Sequence, residues 1–113
     1  MKKHIATYNF IGFLLSLYLI LFLGYIANAQ EYRQKIDSLI SGKTPPEQLQ
    51  ILNDESQQWR YSNLNYAYEI CDTALVIARH TENMTYVARA LCNLGIIFHL
   101  AEELTLADSL YQK

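Results

Sequence analysis

The chain has 113 residues, 51% of them hydrophobic and 18% charged, with a net charge of −2. That near-neutral balance, with no basic stripe, excludes the electrostatic footprint of a nucleic-acid binder. Cys71 and Cys92 stand too far apart in sequence for a zinc knuckle or a redox pair, and His4, His80 and His99 are isolated. No metal and no cofactor is therefore expected.

The first element is a targeting segment over residues 1–29. Lys2, Lys3 and His4 make a positive start, and "FIGFLLSLYLILFLGYI" then runs from Phe10 to Ile26 without a charge. Ala27, Asn28 and Ala29 supply the small-x-small pattern that signal peptidase cuts, which would leave Gln30 first. The alternative is an uncleaved inner-membrane anchor, because an apolar run of this length reaches the lower edge of a membrane span. No cysteine follows the run, so a lipid anchor is not expected. Export to a bacterial periplasm leaves residues 30–113, enough for one small core and little more.

Every later periodic segment reads as helix. Tyr32, Ile36, Leu39 and Ile40 share one face of a capping helix over residues 30–43, which stops at Gly42. Thr44, Pro45, Pro46 and Glu47 open the next helix in the manner of a capping box. Its stripe is Leu49, Leu52, Ser56 and Trp59. Ser62 or Asn63 caps a third helix carrying Ala67, Ile70, Cys71, Ala74 and Ala78. A polar "HTEN" turn leads to a fourth, with Val87, Ala88, Leu91, Leu94, Gly95 and Phe98. The residues "AEE" at 101–103 then interrupt the pattern before a fifth helix bearing Leu104, Ala107, Leu110 and Tyr111. The expected fold class is all-α, with five short helices after the signal helix and no strand.

Two of these helix pairs repeat. A shift of 39 brings Leu52 onto Leu91, Ser56 onto Gly95 and Trp59 onto Phe98; a shift of 40 brings Ala67 onto Ala107 and Ile70 onto Leu110. The units run over residues 44–82 and 83–113. Glycine inside a helix costs about 1 kcal/mol against alanine. Gly95 is then expected where a second backbone approaches, with Ala107 as the small residue opposite it in an antiparallel pair.

The pattern resembles the tetratricopeptide repeat. Leu91, Leu94, Gly95 and Phe98, followed by Ala107 and Tyr111, stand at that family's spacing, and Ala67, Ala74 and Ala78 suit its second helix. The first unit departs from it, with Glu55-Ser56 in place of Leu-Gly and Cys71 in place of an aromatic. The resemblance implies an α-solenoid of helix-turn-helix pairs that binds peptides along the face lined by the first helix of each pair. On this chain that face holds Arg89, Cys92, Asn93, Ile96 and His99. Arg89 and Asn93, one turn apart, could reach a carboxylate or a peptide backbone; each also suits an ordinary solvent or packing role. His99 has a second reading as a residue favoured by a helix C-terminal dipole. Tyr61, Tyr66, Tyr68 and Tyr86 either cover a thin core or form a peptide-binding surface.

Nothing in the pattern carries catalysis: Asp54 and Glu55 are adjacent and point to different sides of a helix. The stretch from Lys35 to Arg79 is similar to the opening of exported tetratricopeptide-repeat signalling proteins of Gram-negative bacteria, in which periplasmic repeats precede a membrane span and a cytoplasmic histidine kinase or DNA-binding domain. That likeness implies a non-catalytic interaction module, the sensory part of a longer protein. A histidine kinase whose input domain this is, or a free-standing exported scaffold, are the alternatives. The expected partner is a protein or peptide of unknown identity. An incomplete last repeat would leave Leu106, Leu110 and Tyr111 open to self-association.

Overall fold

A computed structural model describes the backbone of residues Lys2–Tyr111, with side chains described over residues 7–110. Four helices and no strand lie among them: α1 (Lys2–Ile40), α2 (Pro45–Trp59), α3 (Leu64–His80) and α4 (Met84–Tyr111). The protein is all-α. The chain divides into two units, one ending at Gln34 and the other beginning at Lys35.

The first unit is a single exposed helix. Leucine, isoleucine and aromatic residues dominate it, and no proline interrupts it, so helix propagates through both Gly12 and Gly24. Phe10, Phe13, Leu15, Tyr18 and Leu21 all face outward, and the helix is long and apolar enough to cross a membrane. Ala27, Ala29 and Gln30 lie within its unbroken length. The side chains of Lys2, Lys3 and His4 fall outside the described residues. The capping helix expected over 30–43 is the last part of α1, because no helix breaker separates it from the apolar run. It ends where Gly42 takes a φ of 73°, a left-handed conformation that glycine adopts without steric cost.

In the second unit α3 is the central helix, packed against both α2 and α4, which touch each other more sparingly. That position explains its composition. Seven of its residues are buried, and Ala67, Ala74 and Ala78 keep its surface thin enough for two neighbours. Leu49, Leu52 and Ser56 enter the core from α2, and Ala90, Asn93 and Ile97 from α4. The loops on either side of α3 are short and asparagine-capped. Asn63 Oδ1 accepts from the Tyr66 amide at 3.1 Å, and Asn83 Oδ1 from the Tyr86 amide at 3.3 Å. Thr44 holds the N-cap position of α2 but makes no side-chain cap bond. Pro45 and Pro46 carry no N–H, so few donors are left there to cap.

Three expectations about the last segment are corrected. First, "AEE" is not a break: α4 runs through it, and the fourth and fifth helices are one. Alanine, glutamate and leucine are strong helix formers. The Thr105 and Ser109 hydroxyls bond back to the Ala101 and Leu106 carbonyls, at 3.0 and 2.8 Å, instead of capping a new start. Second, Gly95 and Ala107 share that helix, about 18 Å apart along its axis, so they cannot face each other; a Cβ built on Gly95 meets nothing within 4 Å. Third, the buried stripe of α4 is Ala90, Asn93 and Ile97 with Leu94 beside it, one residue away from the expected Leu91, Gly95 and Phe98. Leu91 and Phe98 are 47% and 59% exposed. Ala107 is exposed as well, and the side chain of Tyr111 lies outside the described residues.

Candidate functional site

A groove of about 480 Å³ opens between α2 and α4, lined by Asn53 and Gln57 on one side and Ala88, Arg89, Cys92 and Asn93 on the other. Its floor is set by Asn93, only 7% exposed. A carboxamide this deep needs a partner. It has one: Asn93 Nδ2 donates to Asn53 Oδ1 at 2.9 Å, joining two asparagines 40 positions apart in sequence. Beneath them Ser56, 2% exposed, donates from Oγ to the Asn53 carbonyl at 2.9 Å.

The mouth of the groove is also ordered. The Arg89 guanidinium lies 5.0 Å above the centre of the Tyr86 ring, a cation–π arrangement that holds the charge at the rim. Tyr86 in turn donates from its hydroxyl to Gln50 Oε1 at 2.6 Å, and Gln50 Nε2 donates to both oxygens of Asp54 at 3.1 Å. Carboxamides offer both a donor and an acceptor, so Asn53, Gln57 and Asn93 present the groups that a peptide main chain needs, with one fixed positive charge beside them.

Of the residues singled out on the fourth helix, the structure brings Arg89, Cys92 and Asn93 into the groove. Ile96 and His99 continue the same face of α4 one and two turns further on, past the lining residues. His99 Nε2 lies 3.0 Å from Glu103 Oε1, an exposed pair on one helix. Asn53 and Gln57 were not anticipated. Their signal was legible: Gln50, Asn53 and Gln57 recur at spacings of three and four, which places a carboxamide row on one face of α2. The cysteines are both free, Cys71 buried and Cys92 exposed. Burial pushes the Cys71 thiol up, while a hydrogen bond with Ser56 and the Arg60 charge pull it back. Asp54 is occupied by Gln50, and Glu55 accepts from the Trp59 indole at 3.1 Å.

These features define a small helical bundle with an apolar N-terminal helix and a polar groove at one helix–helix junction. Compared with known proteins, the chain matches no family model, no curated protein and no solved structure.

Proposed function

We propose that the unit from Lys35 onward is a non-catalytic, tetratricopeptide-like module that docks a peptide segment of a protein partner in the groove between α2 and α4, with a carboxylate held by Arg89. The observation that carries this reading is the Asn53–Asn93 pair, with Arg89 held beside it on Tyr86. A part-buried asparagine pair opening onto a groove keeps main-chain-like donors and acceptors in place before a ligand arrives, and so lowers the ordering cost of binding. The apolar helix of the first unit supports export, either as a signal cut before Gln30 or as an inner-membrane anchor. A sensory role in periplasmic signal transduction is the setting that joins an exported helix to a peptide-docking module.

The test uses the full chain in an uncharged detergent and two pools of short peptides, identical except that one ends in a free carboxylate and the other in an amide. The carboxylate pool is expected to be retained, and Arg89→Ala to weaken retention about tenfold, as loss of a charge-assisted contact does. Equal retention of both pools, or retention indifferent to Arg89→Ala, would defeat the reading.

A further inference from the structure

A second cleft, of about 400 Å³, lies away from the groove and is lined by Lys35, Ser38, Leu39, Glu55, Trp59 and Tyr66. Two aromatic rings make a corner there. Trp59 and Tyr66 sit edge to face, with centroids 5.3 Å apart and planes at 79°. Glu55 stands at the corner and accepts from the Trp59 indole at 3.1 Å, which fixes both the ring and the carboxylate. Over the Tyr66 ring, 5.7 Å from its centre, lies the ammonium of Lys35.

Each part selects for positive charge. Aromatic faces carry negative potential and attract ammonium groups within about 6 Å. A carboxylate beside them adds a full charge of the right sign. The indole is held at the end of α2 by its bond to Glu55, and the buried Tyr66 ring is held at the start of α3, where Asn63 caps the helix; the corner is therefore built before any ligand arrives. Lys35 is the member exposed to solvent, a long side chain from the last turns of α1.

We propose that this corner is a binding site for a small organic cation, a primary or quaternary ammonium, which takes the place of the Lys35 ammonium against Tyr66 and Trp59. Lys35 is a resident stand-in that an outside cation displaces. The Glu55 charge favours a free ammonium over one that carries a phosphate beside it.

Trp59 is the only tryptophan in the chain, so its emission reports on this site alone. The full chain in an uncharged maltoside detergent is titrated with choline, butylammonium, glycerophosphocholine and 3,3-dimethyl-1-butanol, the uncharged isostere of choline. Choline or butylammonium is expected to change the emission saturably, and the isostere to leave it unchanged. Lys35→Met, which keeps the stem and removes the charge, should tighten binding several-fold by vacating the ring. Glu55→Gln, whose amide oxygen can still accept from the indole, should weaken it roughly tenfold. Glycerophosphocholine binding as tightly as choline assigns the cation to a lipid headgroup; weaker binding assigns it to a free metabolite. Melting curves establish that both variants fold. An equal response to the uncharged isostere, or an affinity for every cation that neither variant alters, overturns the proposal.

Discussion

Cys71 shows how much one buried side chain carries in so thin a bundle. It sits where α3 meets its neighbours, in one buried cluster with Ala67 and Ile97, and burial holds its thiol above the ordinary value of 9.0. Tyr66 is also raised above its ordinary 10.0, by burial first and by the nearby Glu55 charge second. A raised value means that the folded chain keeps a proton which the unfolded chain has already lost. Stability is therefore fully present below the unfolded values and is lost as pH rises through the folded ones. Melting temperature should be flat near pH 8 and fall above about pH 9. Cys71→Ala should flatten the first part of that fall and leave the part above about pH 10, which belongs to Tyr66. A parent protein that melts at the same temperature across this whole range would refute the assignment.

At the scale of the element, α4 is two helices' worth of sequence in one. Its first half buries Ala90, Asn93 and Ile97 against the bundle, whereas residues 101–110 are exposed throughout. Hydrophobic spacing alone does not distinguish a hairpin from a continuous helix here. Leu104 and Ala107 prolong the row that begins with Ala90, Asn93, Ile97 and Leu100 at alternating spacings of three and four. What decides continuity is local: no glycine, proline or cap residue lies between Leu100 and Leu104, and the propensity of "AEEL" favours helix. Gly95 then sits on an open helix surface, where its conformational freedom is simply a cost. Gly95→Ala is expected to stabilise the protein by up to about 1 kcal/mol, read as a melting temperature higher by a few degrees. A lower melting temperature would mean that a second backbone closes on Gly95, as a separate fifth helix would require.

For the whole molecule, the two units answer to different solvents. The residues from Lys35 onward bury a core of leucine, alanine and isoleucine around α3, while the apolar side chains of the first unit remain outward along a helix able to span a bilayer. In water such a surface is unfavourable by about 25 cal/mol for each Å² left exposed; it suits a membrane or an export machinery. If the segment is a signal, terminal sequencing of the exported protein should begin at Gln30. A protein that retains residues 1–29 and partitions with membranes would instead make α1 an anchor.

The helical class, the apolar N-terminal helix, and the bounds of α2 and α3 to within a few residues are legible in the residue pattern. Those features follow from short-range causes: the period of the apolar residues, prolines at a helix start, a cap at Ser62 or Asn63, a polar turn after His80 and Gly42 at a stop. Which side of α4 is buried is set by packing between helices. Two adjacent stripes, one through Leu91 and Phe98 and one through Ala90, Asn93 and Ile97, are both apolar enough to serve. The more hydrophobic one lost, because Asn93 gains a partner in Asn53 and the small Ala90 allows α2 and α3 to approach. The groove and the aromatic corner follow from the same kind of choice. Arg89 and Asn93 were legible as neighbours on one helix, but Asn53, 40 residues away, and Lys35 above Tyr66 become neighbours only when separate helices pack. Periodicity records which residues share a face of one helix; it holds no information on which two faces meet.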